Sequence, residues 1–179
     1  IKTIDNFEKH KYECENYDLV GYISLEDMEA ESGNDCWGWT DPLTNKEYAL
    51  MGLDNGTAII DISRPTKPKY LGKIPTETVP SSWRDLKIFD NHVFIVSEAE
   101  NHGMQVYDLE QLRVINDVQN LTPSFVYSNH GSAHNIAINS KTGYAYTAGI
   151  GSSSNPVGIY ALNINNPIDP KLELEYPDF

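Results

Sequence analysis

Short apolar runs separated by turn-forming residues dominate the chain from Asn34 onward. The stretch GTAIIDISRPTKPKYLGKI, residues 56–74, shows the pattern: an apolar run, an acid, a proline-containing turn and a second apolar run. Runs of this length, bounded by Gly, Asn, Asp and Pro, are typical of β-strands. The pattern predicts an all-β fold for residues 34–179, preceded by a polar N-terminal arm over residues 1–33.

The same order of strands and turns recurs three times, which predicts a repeat architecture. The residues that close the first strand of each unit, Asp41, Asp90 and Asn139, are 49 residues apart in both steps. A repeat of about 45 residues with four strands is typical of a β-propeller blade. We therefore predict a partial β-propeller with about three four-stranded blades. The blades cover residues 34–78, 82–122 and 131–176.

Three blades cannot close a ring, because propellers contain about 4–8 blades. The outer faces of a partial ring would expose apolar side chains and unpaired strand edges. We therefore expect the blades to continue in a longer natural polypeptide or in a second chain. A β-sandwich is the alternative fold, although a sandwich does not require the repeat.

The charge balance excludes two classes of partner. The chain has 26 acidic and 13 basic residues, a formal net charge of −13. Such a field repels nucleic acids and anionic membrane surfaces and attracts cations. No run of 18 apolar residues occurs in the sequence, so we expect no membrane insertion in this segment.

Three stretches of the chain resemble the choice-of-anchor B family. They are NDCWGWTDPLTNKEYALMGLDNGTAIIDISRPTKPKYLG, SSWRDLKIFDNHVFIVSEAENHGMQVYDL and GSAHNIAINSKTGYAYTAG. Within the first, TAIIDISRPTKPKYLG is similar to an LVIVD-type repeat, and the resemblance extends from about Tyr12 to the end. It implies a secreted or surface-displayed bacterial propeller, of which this chain is the N-terminal half. It supplies no catalytic residues.

Two cysteines and two sequons bear on the compartment. Cys14 and Cys36 permit one disulfide between the arm and the first strand, and reduced, buried thiols are the alternative. Cys36 departs from the apolar residue that the resemblance implies at this position, which favours the disulfide. The sequons at Asn55 (NGT) and Asn120 (NLT) are candidate glycosylation sites in a secreted protein.

Candidate metal ligands fall near the channel mouth of the predicted propeller. Cys36, Asp85 and His134 each lie five residues before the residue that closes a first strand. Equivalent positions on successive blades would face one another, so Asp and His there could bind a divalent cation such as Ca, Zn or Cu. His130 and His102 lie in nearby loops. The alternative is that these side chains only bond to backbone or water.

The residues around the second unit also permit simpler structural roles. We expect Trp83 to pack between blades and Arg84 to pair with an acid of a neighbouring blade. Aromatic residues exposed on the loop face would instead suit recognition of a sugar or a protein.

Three functions remain open. The first is a secreted or cell-surface binding or structural module, without enzymatic activity, whose partner is a protein or a surface glycan. The second is a metal-assisted hydrolase or oxidase acting through Asp85 and His134. The third is a subunit of an extracellular assembly. The sequence has no Gly-x-Ser-x-Gly elbow, Gly-rich phosphate loop or Cys-x-x-Cys pair, which leaves nucleophilic and nucleotide chemistry without support.

Overall fold

The computed structural model describes residues 2–4, 12–149 and 158–176. Its strands are β1 (Lys2–Ile4), β2 (Tyr12–Cys14), β3 (Gly33–Thr40), β4 (Glu47–Leu53), β5 (Gly56–Asp61), β6 (Lys69–Pro75), β7 (Arg84–Phe89), β8 (His92–Ser97), β9 (Met104–Asp108), β10 (Gln119–Asn120), β11 (Phe125–Tyr127), β12 (Asn135–Asn139), β13 (Tyr144–Ala148), β14 (Ile159–Asn163) and β15 (Lys171–Tyr176). One short 3₁₀ helix spans Leu109–Val114 in the same ranges. The fold is therefore all-β, as the sequence predicts.

Three sheets of four or five strands account for most of the described residues. Sheet 1 has the order β10-β6-β5-β4-β3, sheet 2 the order β11-β9-β8-β7, and sheet 3 the order β12-β13-β14-β15. Strands β1 and β2 form a separate antiparallel pair. None of these sheets closes on itself. No helix in the described ranges is both long enough and apolar enough to cross a lipid bilayer.

The end of the second unit differs from the sequence prediction. Its fourth strand is β11, which lies beyond the expected boundary at residue 122, and β10 instead joins sheet 1 in parallel with β6. The segment between β9 and β10 begins as a 3₁₀ helix, in which the Asp108 carboxylate accepts a hydrogen bond from the N–H of Glu110. Leu109 and Leu112, three residues apart, are both buried in the core.

A half-buried ion pair anchors this 3₁₀ helix to sheet 1. Arg113 Nη2 donates to the fully buried Asp41 carboxylate at 2.7 Å. The same carboxylate accepts from the N–H of Leu43 and the hydroxyl of Thr44, which closes the turn after β3. The Arg113 guanidinium holds the pKa of Asp41 well below its usual range. Asp41, which directly follows β3, therefore connects sheet 1 to the 3₁₀ helix.

Two apolar cores lie between the sheets. The first, between sheets 1 and 2, includes Trp39, Tyr48, Leu50 and Leu86. The second, between sheets 2 and 3, is made by Phe94, Val96, Met104, Val106, Ile136 and Leu162, among others. Since sheet 2 has buried residues on both faces, it is the middle layer of the three.

The arm covers part of the outer face of sheet 1. Met28 is 5% exposed and packs with Leu53 and Ala58. Ser24 and Asp27 form the reciprocal hydrogen bonds of a capping box, but the chain continues as turns over residues 25–29. This packing leaves the opposite face of sheet 1 for sheet 2.

The first strands of the three sheets lie next to one another. Strand β7 packs against β3 on one side and against β12 on the other. The residues at the beginnings of these strands are therefore brought together, and they form the candidate site.

Candidate functional site

A cleft of about 720 Å³ lies where β3, β7 and β12 meet; we call it the first-strand cleft. Its polar lining includes Asp35, Asp85, Lys87 and His134, and Trp83 contributes an aromatic wall. A concave site with aromatic walls and a few converging polar groups is the usual form of a ligand pocket.

A repeated hydrogen bond links the first strands. Asp35 Oδ2 accepts from the backbone N–H of Leu86 at 3.3 Å, and Asp85 Oδ2 accepts from that of Ile136 at 2.8 Å. In both steps the carboxylate precedes its donor by 51 residues. Each aspartate thus fastens its own strand to the next one, and we call this contact the aspartate clamp.

The clamp carboxylates also hold a lysine. Lys87 Nζ lies 2.6 Å from Asp85 Oδ1 and 3.3 Å from Asp35 Oδ2. Burial acts to raise the pKa of Asp85, but the hydrogen bonds that its carboxylate accepts from Lys87 and the Ile136 N–H outweigh it and lower this pKa. The same ammonium lies 4.6 Å from the centre of the Trp37 ring, a cation–π distance.

The predicted equivalence of Cys36, Asp85 and His134 is shifted by one residue. The clamp shows that the structural counterpart of Asp85 is Asp35, because the two carboxylates make the same contact 50 residues apart. A register irregularity in β3 between Gly33 and Cys36 accounts for the shift from Cys36 to Asp35. On β12 the counterpart is Asn135, whose Nδ2 lies 3.2 Å from Asp85 Oδ2.

His134 stands at the rim of the cleft. Its side chain is 46% exposed, and Nδ1 forms a hydrogen bond with the Glu98 carboxylate. Its ring lies 5.9 Å from that of Trp83, which is 52% exposed. The expectation that Trp83 is packed between blades is therefore wrong, since half of this indole faces solvent beside the histidine.

A buried arginine and histidine lie behind the cleft. Arg84 Nη1 donates to His102 Nε2 at 2.9 Å, Nε to the Leu53 carbonyl and Nη2 to Thr76 Oγ1. Burial and then the Arg84 charge lower the pKa of His102 to about 4, and burial lowers that of Arg84 to about 10. In the described ranges Arg84 makes no ion pair, so the expected pairing with an acid is wrong.

His130 is buried, and its ring has no hydrogen-bond partner among the described residues. It is 4% exposed, and within the described part of the chain neither ring nitrogen has a partner. The rings of Tyr127 and Tyr160 lie 5.5 and 6.0 Å away. Burial lowers the pKa of His130 to about 4, so this imidazole is neutral at pH 7.

The four predicted metal ligands do not form one site. Asp85 is fully hydrogen-bonded in the clamp, His102 is engaged by Arg84, His134 by Glu98, and His130 lies among tyrosines. Over the residues that the structure describes, no three His, Cys, Asp or Glu side chains are grouped to hold a metal ion.

The cysteine and sequon predictions stay predictions. Cys36 is exposed with a free thiol, and the side chain of Cys14 lies outside the described residues. Asn120 is exposed on β10. Asn55 donates from Nδ2 to the Glu29 carbonyl at 2.6 Å and accepts from Lys73. A glycan on this nitrogen would leave one N–H for the bond to Glu29.

Sequence reasoning missed three members of the cleft: Asp35, Lys87 and Asn135. A signal was available in the exact recurrence of polar pairs, since Asn34-Asp35, Arg84-Asp85 and His134-Asn135 follow one another every 50 residues. Matching the ends of the first strands, which recur every 49 residues, instead pairs Asp85 with Cys36 and His134, each one position away from Asp35 and Asn135.

A second cavity, of about 540 Å³, lies between the arm and sheet 1. It is lined mainly by apolar residues, among them Ile23, Met51 and Ile60. These residues pack against the small core beneath the arm, so the cavity borders that core.

Comparison of the chain with models of known protein families and with curated proteins finds no match.

Proposed function

We propose that the three sheets are consecutive blades of a β-propeller and that the chain is an extracellular binding module. The adjacency of β3, β7 and β12 supports this proposal, since the innermost strands of propeller blades surround a common axis. The aspartate clamp recurs between successive first strands, so a side-chain contact repeats together with the strands. Membership of the choice-of-anchor B family and display on the cell surface belong to the proposal.

The first-strand cleft is the proposed binding site, and its ligand is a surface glycan. The observation that carries this assignment is the exposed Trp83 ring beside His134, at the rim of a cleft with polar walls. The negative face of an indole attracts the C–H groups of a sugar ring, while neighbouring carboxylates, amides and imidazoles bond to hydroxyls. The net charge of −13 favours neutral or amino-substituted glycans over acidic ones.

The clamp makes the enzymatic alternative weaker. Both Asp85 oxygens accept hydrogen bonds, Oδ1 from Lys87 and the Leu86 N–H, and Oδ2 from the Ile136 N–H. A role as metal ligand or general base would require the loss of contacts that connect sheets 2 and 3. Binding of a glycan requires no such rearrangement, because the Trp83 ring already faces solvent.

Trp83→Ala tests the glycan site. We expect the chain to bind neutral or amino-substituted oligosaccharides from a panel, and the variant to bind them at least about tenfold more weakly, measured by calorimetric titration. The control is Tyr17→Ala, an aromatic residue that is 86% exposed and not part of the cleft lining. Its affinity should equal that of the parent chain.

Two results would contradict the glycan site. One is a panel without any ligand at millimolar concentration. The other is equal affinity of the Trp83→Ala and parent chains, with both proteins shown to be folded by circular dichroism. Binding of a protein in place of a glycan, with the same loss in Trp83→Ala, would retain the site and replace its ligand.

A further inference from the structure

We propose that the cavity between the arm and sheet 1 is a binding site for a small cationic amphiphile, an amine that carries one apolar chain. We call it the arm cavity. Its volume of about 540 Å³ is in the usual range of small-molecule sites, about 300–1,000 Å³. Among the described residues it shares no lining residue with the first-strand cleft, so the proposal does not depend on the glycan site.

The floor of the arm cavity is the outer face of sheet 1, whose centre carries small side chains. Side chains alternate along β4, so that Glu47, Ala49 and Met51 face the arm while the positions between them belong to the core shared with sheet 2. Ala49 pairs with Gly38 of β3. The nearest atom to a Cβ added at Gly38 lies 3.9 Å away. Two small residues side by side in the sheet therefore leave a hollow.

The roof of the arm cavity is fixed at both ends. At one end Gly21 packs on the turn after β5, where an added Cβ would collide with the Pro65 carbonyl oxygen. At the other end Lys73 Nζ donates to the carbonyls of Met28 and Glu29, each at 3.0 Å. The arm thus spans the hollow between two fixed points and leaves it open.

The walls of the arm cavity suit an apolar chain. Ile23 and Leu25 contribute from the roof, and Ile60 and Ile62 contribute from the floor. An apolar chain between these side chains would be removed from water on both sides, which is the main driving force for binding an apolar group. The Cys36 thiol, also in the lining, is only weakly polar.

Glu47 determines the charge of the ligand. Within the described chain it is the one residue with a formal charge at neutral pH in this lining, and it lies exposed at the start of β4. Its backbone N–H donates to Ser63 Oγ, whereas its carboxylate has no hydrogen bond or ion pair with the described residues. A carboxylate at the edge of an apolar cavity is complementary to an ammonium group, which donates up to three hydrogen bonds.

Three octyl compounds that differ only in their head group test the proposal: octylamine, octanol and octanoate. In calorimetric titration at pH 7, we expect one octylamine to bind per chain. Octanol should bind at least about fivefold more weakly, because it lacks the charge-assisted hydrogen bond to Glu47, and octanoate should bind more weakly than octanol. Absence of octylamine binding at millimolar concentration overturns the proposal, as does equal affinity for octylamine and octanol.

Glu47→Gln tests the charge assignment without altering a buried residue. It should reduce the affinity for octylamine to that for octanol and leave the affinity for octanol unchanged. Glu100→Gln is the matched control, since Glu100 is also exposed and is not part of this lining. Its affinities should equal those of the parent chain. An octylamine affinity that Glu47→Gln leaves unchanged overturns the assignment.

Two measurements locate the bound amine. Ala49→Leu fills the hollow and should weaken both octylamine and octanol at least tenfold. In the reduced parent chain, saturating octylamine should slow the reaction of Cys36 with N-ethylmaleimide at least about twofold, measured by mass spectrometry on a peptide that contains Cys36 and not Cys14. The second measurement does not require a variant that folds. Binding that survives Ala49→Leu, or that leaves the reaction of Cys36 unchanged, places the amine elsewhere and overturns the proposal.

Discussion

Two buried histidines lead to opposite predictions for single substitutions, because the ring of His102 is hydrogen-bonded and that of His130 has no partner among the described residues. His130→Phe removes two ring nitrogens without partners in the described chain and keeps an aromatic ring among Tyr127 and Tyr160. The free energy of unfolding should stay equal or rise by about 1 kcal/mol. His102→Phe takes the acceptor from buried Arg84 and should cost about 2 kcal/mol. Urea unfolding at pH 7.5 measures both values.

The same pair predicts how stability changes with pH. Both pKa values are about 4 in the folded chain, below the ordinary 6.5, so the unfolded chain takes up protons first as the pH falls. The stability that the two neutral histidines contribute is fully present above pH 6.5. It is lost between pH 6.5 and pH 4, at up to about 1.4 kcal/mol per pH unit for each histidine. His130→Phe should make this slope shallower. A slope equal to that of the parent chain would contradict the assignment of a neutral, buried His130.

Residues with reactive side chains could be predicted from the sequence, but their hydrogen-bond partners could not. The sequence predicts Asp85, His102 and His130 as metal ligands because their side chains can bind metals, and the structure places all three in buried positions. Whether such a residue is bonded depends on the other sheets: Arg84 meets a neutral histidine and a carbonyl from sheet 1 where an acid was expected. Contacts between residues so distant in sequence leave no local pattern in the chain.

At the scale of elements, Gly72 determines whether β10 can join sheet 1. Its φ is +126°, and an added Cβ would lie 1.8 Å from the Gln119 carbonyl oxygen. Gly72→Ala should therefore lower the free energy of unfolding by more than about 1 kcal/mol. It should also expose the N–H of Leu121, which donates to the backbone carbonyl of Lys73. Thermal unfolding and hydrogen exchange measure these effects.

Gly38→Ala is the matched control for this strand pairing. Gly38 lies in β3, and the nearest atom to its added Cβ is the Tyr48 carbonyl oxygen at 3.9 Å, an ordinary contact. Its stability should change by less than about 0.5 kcal/mol. Equal losses in the two variants, or retained protection of Leu121 in Gly72→Ala, would show that the close approach of β10 is not required.

The position of β10 and β11 also shows the limit of strand prediction. The second predicted unit extends to residue 122 with a strand as its last element, yet Leu109–Val114 forms a 3₁₀ helix. Leu109 and Leu112 lie on one side of such a helix, which repeats every three residues, and both are buried in the core. The strands before this point were predictable because turn residues bound each of them.

For the whole molecule, the repeat could be predicted and its register could not. Three units with the same order of strands are visible in the sequence, and three sheets follow that order. The interval of the first-strand contacts is 50 residues, however. The irregularity in β3 moves Asp35 into the position expected for Cys36, and the longer turn after β12 makes Asn139 the counterpart of Phe89. An irregularity of this kind changes which side chains face the cleft without changing the turn signals.

Asp85 connects two sheets, so its replacement should affect the stability of the entire fold. Asp85→Asn exchanges one clamp oxygen for a donor, which leaves either the Ile136 N–H or Lys87 without its acceptor. The free energy of unfolding should fall by about 2 kcal/mol, and exchange of the Ile136 amide should accelerate. Asp169→Asn, which removes an exposed pair with Lys171, should cost less than about 0.5 kcal/mol. Equal losses in urea unfolding of the two variants would mean that the clamp does not join sheets 2 and 3. A larger loss in Asp85→Asn, seen equally by tryptophan fluorescence and circular dichroism, is expected because the sheets share their cores and unfold together.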